Sequence, residues 1–357
     1  MSKNSFEKYL ENGEKLINER ISNDISEKYP IFSQLPRFGT DLSNRLHNFA
    51  TRGKGLRGTL IMLSSEMFGY EDKRMPLGIA SGLEFIHSSL LIHDDIMDND
   101  LLRRGIPSFF SQYLSLIKKD NIKDDIQTAK SMSICAGDFG FFLGMQIISN
   151  SIKNLKESSK IMNLITNEIM LVGIAQMEDV FLGNIEHTPG LEEIELVYLH
   201  KTARYSFSLP MVVGVNIAGE NLKTIELIEK LGKHLGFIFQ LRDDEIGIFS
   251  DENISGKTVG SDIRENKKTY IRSMLYSATS KGDQKILNDI FGKRNIAIEE
   301  INKIKTLIIS TDTLKKVNKI MKEHEVEASK IIESLGINSH YKNILFELLY
   351  FISNRKK

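Results

Sequence analysis

The chain has 357 residues, 41% hydrophobic and 26% charged, with 47 Lys and Arg against 47 Asp and Glu. A formal charge of zero excludes a globally basic nucleic-acid binder and an acidic disordered tail protein. Six prolines exclude a collagen-like chain, and a single cysteine, Cys135, excludes an intrachain disulfide and a Cys-based zinc cage.

The N-terminus, MSKNSFEKYLENGEKLINER, is too charged for a signal peptide. The expected location is cytoplasmic. The apolar stretches fall short of the ~20 residues of a membrane span, so none is expected. Residues 1–35 are expected to form an N-terminal helical region. A loop punctuated by Gly39, Gly53, Gly55 and Gly58 follows. Helical periodicity then covers 59–69, 76–93, 126–149, 160–182 and 192–217. Pro210 lies inside the last of these and predicts a kink. From Leu222 the apolar positions Ile225, Ile228, Leu231, Leu235, Ile238 and Phe239 make one helical stripe. Ile320, Met321, Ala328, Ile331, Ile332 and Leu335 make another. Residues 340–357 predict a final helix and a basic tail. No strand-length alternation, fixed repeat or low-complexity linker interrupts the pattern. The expected fold is all-α, one helical-bundle domain over 1–357.

Two acidic segments carry chemistry. In HSSLLIHDDIMDNDLLRRGIP (87–107), Asp94 and Asp98 share a helix face and Asp95 sits beside them. Such a cluster alone also suits a solvated helix end. The apolar approach and the Arg103–Arg104 pair favour a metal–diphosphate ligand. Hard carboxylate oxygens suit Mg²⁺, and arginine suits phosphate. In FQLRDDEIGIFSD (239–251), Asp243 and Asp244 lie one turn after Gln240. The pattern is incomplete, because position 247 is glycine. Lys257, Lys267 and Lys268 follow. Mg²⁺ ions held by the two segments would neutralise a departing diphosphate.

Both segments, in this order and at this separation, resemble the trans-isoprenyl diphosphate synthases, the polyprenyl synthetases, over ~300 residues. The resemblance implies the isoprenoid synthase fold, helices around a central elongated cavity. It implies a head-to-tail (1′-4) prenyltransferase that joins isopentenyl diphosphate to an allylic diphosphate (dimethylallyl, geranyl or farnesyl). It further implies two to three Mg²⁺ ions on Asp94, Asp95, Asp98, Asp243 and Asp244, and a homodimer. RGKGLRG (52–58) resembles the family's isopentenyl-diphosphate loop, with Arg52 in place of one glycine. Lys54, Arg57, His87 and Arg104 would hold that diphosphate. Arg103, Lys201, Lys257 and Lys267 would hold the allylic one. Lys201–Thr202 resembles the family's KT motif. Its carbonyls and the Gln240 side-chain oxygen would face the carbocation, and Phe239–Gln240 matches a family pair below the isopentenyl site. The tail from Arg355 resembles a basic C-terminus that closes over the site.

Product length is implied by Ile86, Ser88, Ser89 and Leu90, upstream of Asp94. Small Ser89 would let a chain pass the fifteen-carbon depth, with Ile86, Phe141 or Phe142 as a deeper floor. The expectation is geranylgeranyl diphosphate, with twenty-five to thirty carbons as the alternative. Two other readings stay open. A class I terpene cyclase would leave Lys54, Arg57, His87 and Arg104 without a role. A non-catalytic subunit of a heteromeric synthase would usually lose an acidic motif.

Overall fold

Asn4 opens the first helix with a reciprocal cap. Its Oδ1 accepts the Glu7 N–H at 2.8 Å, while Glu7 Oε2 accepts the Asn4 N–H at 3.1 Å. The computed structural model describes residues 4–103, 105–119, 124–249, 260–293 and 295–355. Helices follow in order: α1 Ser5–Glu27, α2 Tyr29–Phe32, α3 Pro36–Ala50, α4 Leu56–Glu66 and α5 Arg74–Asp98. A two-residue antiparallel ladder comes next, β1 Leu102–Arg103 with β2 Ile106–Pro107. The chain continues through α6 Phe109–Lys119, α7 Asp125–Ile152, α8 Ser158–Asn184 and α9 Leu191–Val197. A π-helix, Tyr198–Ser208, leads into α10 Leu209–Ile217 and α11 Leu222–Phe249. The last helices are α12 Ser261–Arg264, α13 Tyr270–Ala278, α14 Lys281–Ile290, α15 Ile298–Ser310, α16 Thr313–Ser334 and α17 Ser339–Ser353. The all-α expectation holds.

The chain divides into two compact units, Met1–Leu164 with Val213–Glu220, and Ile165–Val212 with Asn221–Lys357. In the first, Phe6, Leu10, Ile17 and Ile21 are buried along one face of α1, at helical spacing. α1 packs on α4 and α5, and α5 packs on α7. The α5–α7 contact is close because α7 carries glycines there. A Cβ at Gly140 would lie 2.7 Å from Ser89 Oγ, and one at Gly144 would lie 2.8 Å from Ile86 Cγ1. The same helical period turns Phe142 outward, where it is 72% exposed. Phe142 is therefore not the floor of a tunnel. In the second unit α11 packs against the π-helix, α16 and α17.

Two features were not legible in the sequence. α5 and α7, with 25 and 28 residues, are long and apolar enough on average to span a bilayer. No unbroken apolar run shows this, because glycine and serine interrupt the runs without lowering the average much. In α5, 72% of that apolar stretch is buried inside the protein, so its apolarity has a packing role. The π-helix Tyr198–Ser208 ends two residues before Pro210, which lies in the first turn of α10. The Leu209 N–H bonds to Arg204 O, five residues back. Pro210 has no N–H to continue the ordinary ladder.

Candidate active site

In the first unit the chain reverses just after the last turn of α5. Asn99 adopts a left-handed conformation (φ 56°) and ends the helix. The short ladder then returns Arg103 to the acidic cluster. Arg103 Nε donates to Asp95 Oδ1 at 2.5 Å, and Nη2 reaches Asp94 Oδ2 at 3.3 Å and Asp100 Oδ2 at 3.1 Å. Asp95 is fully buried. Its second oxygen, Oδ2, is buried without a hydrogen-bond partner among the described residues. Burial pushes the Asp95 carboxyl up to about 7, in spite of the adjacent guanidinium. Asp94 is half-buried and Asp98 exposed, one turn apart on one face. Arg104 lies outside the described residues.

Lys54 and Arg57 flank the start of α4. Glu84 on α5 accepts the Gly58 N–H at 3.2 Å, which holds that start to α5. His87 lies three residues beyond Glu84, about one turn along the same helix. Ser88 and Ser89 are buried, Ile86 fully so, and Leu90 is half-buried. Ser89 donates to Phe85 O at 2.9 Å. Ser89 and Ile86 both face α7.

The second unit assembles the other set around the π-helix and α11. Lys201 Nζ donates to Asp179 Oδ2 at 2.5 Å. Thr202 Oγ1 donates to Gln240 Oε1 at 2.9 Å, and Gln240 Nε2 donates to Asp244 Oδ1 at 3.1 Å. The Tyr198 hydroxyl donates to Asp244 Oδ2 at 2.5 Å and accepts the Tyr270 N–H at 3.0 Å. Asp244 is 2% exposed, and burial holds its carboxyl well above the ordinary range. Asp243 is more open and pairs with Arg355 at 3.3 Å. Arg355 also stacks 4.0 Å above the Phe239 ring, and Phe239 packs on Phe207 with centroids 5.4 Å apart. Arg242 anchors the tail by donating to Ser353 O at 2.8 Å. Lys267 pairs with Glu265 at 2.9 Å and stands 3.9 Å from Asp262. Lys257 lies outside the described residues.

Asp179, Tyr198 and Asp262 did not stand out in the sequence. Asp179 had a weak signal, the polar pair Gln176 and Asp179 one turn apart on an apolar helix. The other two had none, since their partners are distant in sequence.

A profile of the polyprenyl synthetase family matches residues 42–308. The chain belongs to the polyprenyl synthetase family. It is accordingly a trans-prenyltransferase. A geranylgeranyl diphosphate synthase of Sulfolobus acidocaldarius is 29% identical over 296 residues, covering 82% of this chain and 81% of that protein. A farnesyl diphosphate synthase of Micrococcus luteus is 32% identical over 281 residues, covering 76% of this chain and 87% of that protein. A crystal structure of a geranylgeranyl pyrophosphate synthase from Corynebacterium glutamicum, complexed with isoprenyl diphosphate and magnesium, has the same fold. It matches with a TM-score of 0.91 at 24% identity, over 98% of this chain and 99% of that one.

The donor set fits the Mg²⁺ that the family implies. The candidate ligands are hard carboxylate oxygens, and Asp95 Oδ2 is a buried oxygen with no hydrogen-bond partner among the described residues. Among the described residues no three acidic, His or Cys side chains form a complete cage. Mg²⁺ does not need one, because it keeps several waters and takes substrate phosphates with one or two carboxylates.

Proposed function

We propose that the chain, acting over 1–357 as one catalytic domain, condenses isopentenyl diphosphate with an allylic diphosphate. The allylic C1′–O bond breaks and diphosphate leaves. A C1′–C4 bond forms to isopentenyl diphosphate, and the proton lost from its C2 goes to the departing diphosphate. The main product is geranylgeranyl diphosphate. The twenty-carbon length is supported by the name of the Sulfolobus relative, while the Micrococcus relative is named for fifteen carbons.

The observation that carries the reading is the basic start of α4, fixed to α5 through Gly58 and Glu84 one turn before His87. A cyclase acting on one diphosphate has no use for a second basic site. Lys54, Arg57, His87 and Arg104 would bind isopentenyl diphosphate. Arg103, Lys201, Lys257 and Lys267 would bind the allylic diphosphate. Asp94, Asp95, Asp98, Asp243 and Asp244 would hold Mg²⁺, which supplies charge neutralisation for the leaving group. Arg103 offsets the charge of the first cluster, and an incoming diphosphate offers it phosphate oxygens in place of carboxylates. The Lys201 and Thr202 carbonyls and Gln240 Oε1 would face the cationic carbon.

The protein acts as a cytoplasmic homodimer in this reading. The dimer is supported by α8, where Met170, Ile174, Met177 and Phe181 recur at helical spacing and are all exposed.

The test is turnover of labelled isopentenyl diphosphate with each allylic starter and Mg²⁺, resolved by chain length. Asp94→Ala should lower the rate by orders of magnitude with helical circular dichroism unchanged. A near-normal rate in this variant removes the first cluster from the reaction, and no turnover by the unaltered chain with any starter removes the reading itself.

A further inference from the structure

Tyr198 opens the π-helix three residues before Lys201 and is 7% exposed. Its hydroxyl begins a chain of hydrogen bonds whose directions chemistry fixes. The Tyr270 backbone N–H only donates, so Tyr198 Oη accepts it. The Tyr198 O–H then donates to Asp244 Oδ2, 2.5 Å away. Asp244 Oδ1 is left as an acceptor, and it takes the Gln240 Nε2–H at 3.1 Å. An amide carries oxygen opposite its nitrogen. Gln240 Oε1 is thereby turned to Thr202, whose hydroxyl donates to it at 2.9 Å. The flipped amide would set its oxygen against Asp244 Oδ1, two acceptors facing each other.

We propose that Tyr198 is a positioning residue for the condensation: by holding Asp244 Oδ2 it keeps the oxygen of Gln240, and not its NH₂ group, turned towards Thr202 and the cationic carbon. The inference rests on the condensation reading above. Without the hydroxyl, Asp244 Oδ2 loses its partner in a buried site and the carboxylate is free to turn. The preference between the two amide orientations weakens. An NH₂ group presented to a carbocation destabilises it, whereas a carbonyl oxygen stabilises it. The loss falls on the chemical step, because Tyr198 makes none of the diphosphate contacts.

Tyr198→Phe removes a single oxygen atom. We expect kcat to fall about 10–100-fold, as for supporting contacts one step behind a reactive group. At saturating Mg²⁺, KM for both diphosphates should change by less than about twofold, since Tyr198 itself contacts neither diphosphate in this reading. Tyr198→His, which keeps a ring donor, should recover part of kcat. In a Gln240→Leu background Tyr198→Phe should lower kcat no further, because its effect runs through the Gln240 amide. Equal proportional losses in the two backgrounds overturn the proposal. Should Tyr198→Phe not fold, Tyr198→His carries the same two-background comparison. Unaltered protein in the same assay separates the two claims. Its failure to turn over overturns the condensation reading, whereas normal kcat in Tyr198→Phe overturns the role of Tyr198.

Discussion

The Asp262 carboxylate occupies the space in which a side chain at Gly247 would begin. A Cβ built on Gly247 would lie 2.2 Å from Asp262 Oδ2 and 2.4 Å from its Cγ. Asp262 is 6% exposed and Gly247 is buried on α11, one turn after Asp243 and Asp244. The incomplete acidic motif is thus a packed position. Completing the motif should do harm. Gly247→Ala should cost about 1–3 kcal/mol by overpacking. Gly247→Asp should cost more, because two carboxylates would then crowd one buried site. Urea denaturation measures both, and turnover of Gly247→Asp should fall. A Gly247→Asp protein as stable as the parent and faster would show that position 247 is simply a lost ligand.

The two proposed diphosphate sites should be separable by mutation. Arg57 stands next to Gly58, whose N–H is fixed to Glu84, and none of its sequence neighbours is an acidic-motif residue. Arg57→Ala should raise KM for isopentenyl diphosphate more than KM for the allylic substrate. Loss of a partly buried Arg–phosphate contact is worth roughly 2–5 kcal/mol, so the shift should be large. Initial-rate kinetics with each substrate varied in turn reads it. A larger rise in the allylic KM would reverse the assignment.

Much of this architecture was legible in the sequence, and the missing parts share a cause. The helical periods over 76–93 and from Leu222 predicted α5 and α11, and so placed Asp98 one turn after Asp94 and Asp243 one turn after Gln240. Local spacing suffices for that. The π-helix was not legible as such, because Pro210 announces an irregularity without saying how the turn before it will bond. Asp179 with Lys201, Tyr198 with Asp244 and Asp262 with Gly247 are contacts between segments 15 to 46 residues apart. No period along the chain encodes them. Ser89 shows the same limit from the other side. Its small size suggested an open tunnel, but a small residue also marks close helix packing, and here it meets Gly140.

Acid should loosen the contact between α11 and α16. His234 Nδ1 and His324 Nδ1 are 2.9 Å apart, and Phe237 stacks on the His324 ring at 5.2 Å. Burial, and then His234, depress the His324 imidazole to about 4. His234 is also depressed by burial, with Glu327 opposing. The unfolded chain takes up these protons near pH 6.5, before the folded one does. This contribution to stability is therefore complete above pH 6.5 and is lost as pH falls towards 4. For His324 it amounts to ~1–3 kcal/mol. Denaturation midpoints of the parent and of His324→Gln, compared between pH 7 and 4.5, isolate it from the carboxylates. The parent should lose more stability than the variant over that range. Parallel curves would show that the pair does not resist protonation.

Product length should respond to Leu90 and not to Ser89. Leu90 lies four residues before Asp94 and shares its helix face, whereas Ser89 shares a face with Ile86 and is turned to α7. A hydrocarbon held at Asp94 and growing along α5 therefore meets Leu90 first. Leu90→Phe places a ring on that face and should shorten the main product by at least one isoprene unit, with turnover retained. Ser89→Phe places the same ring against Gly140, where a Cβ would already lie 2.7 Å from Ser89 Oγ. It should lower stability by about 1–3 kcal/mol or more and leave the products of the surviving enzyme at their usual length. Chain-length analysis of both variants, with thermal denaturation alongside, decides between the faces. A shortened product from a stable Ser89→Phe enzyme, with none from Leu90→Phe, would move the tunnel wall to the α7 side.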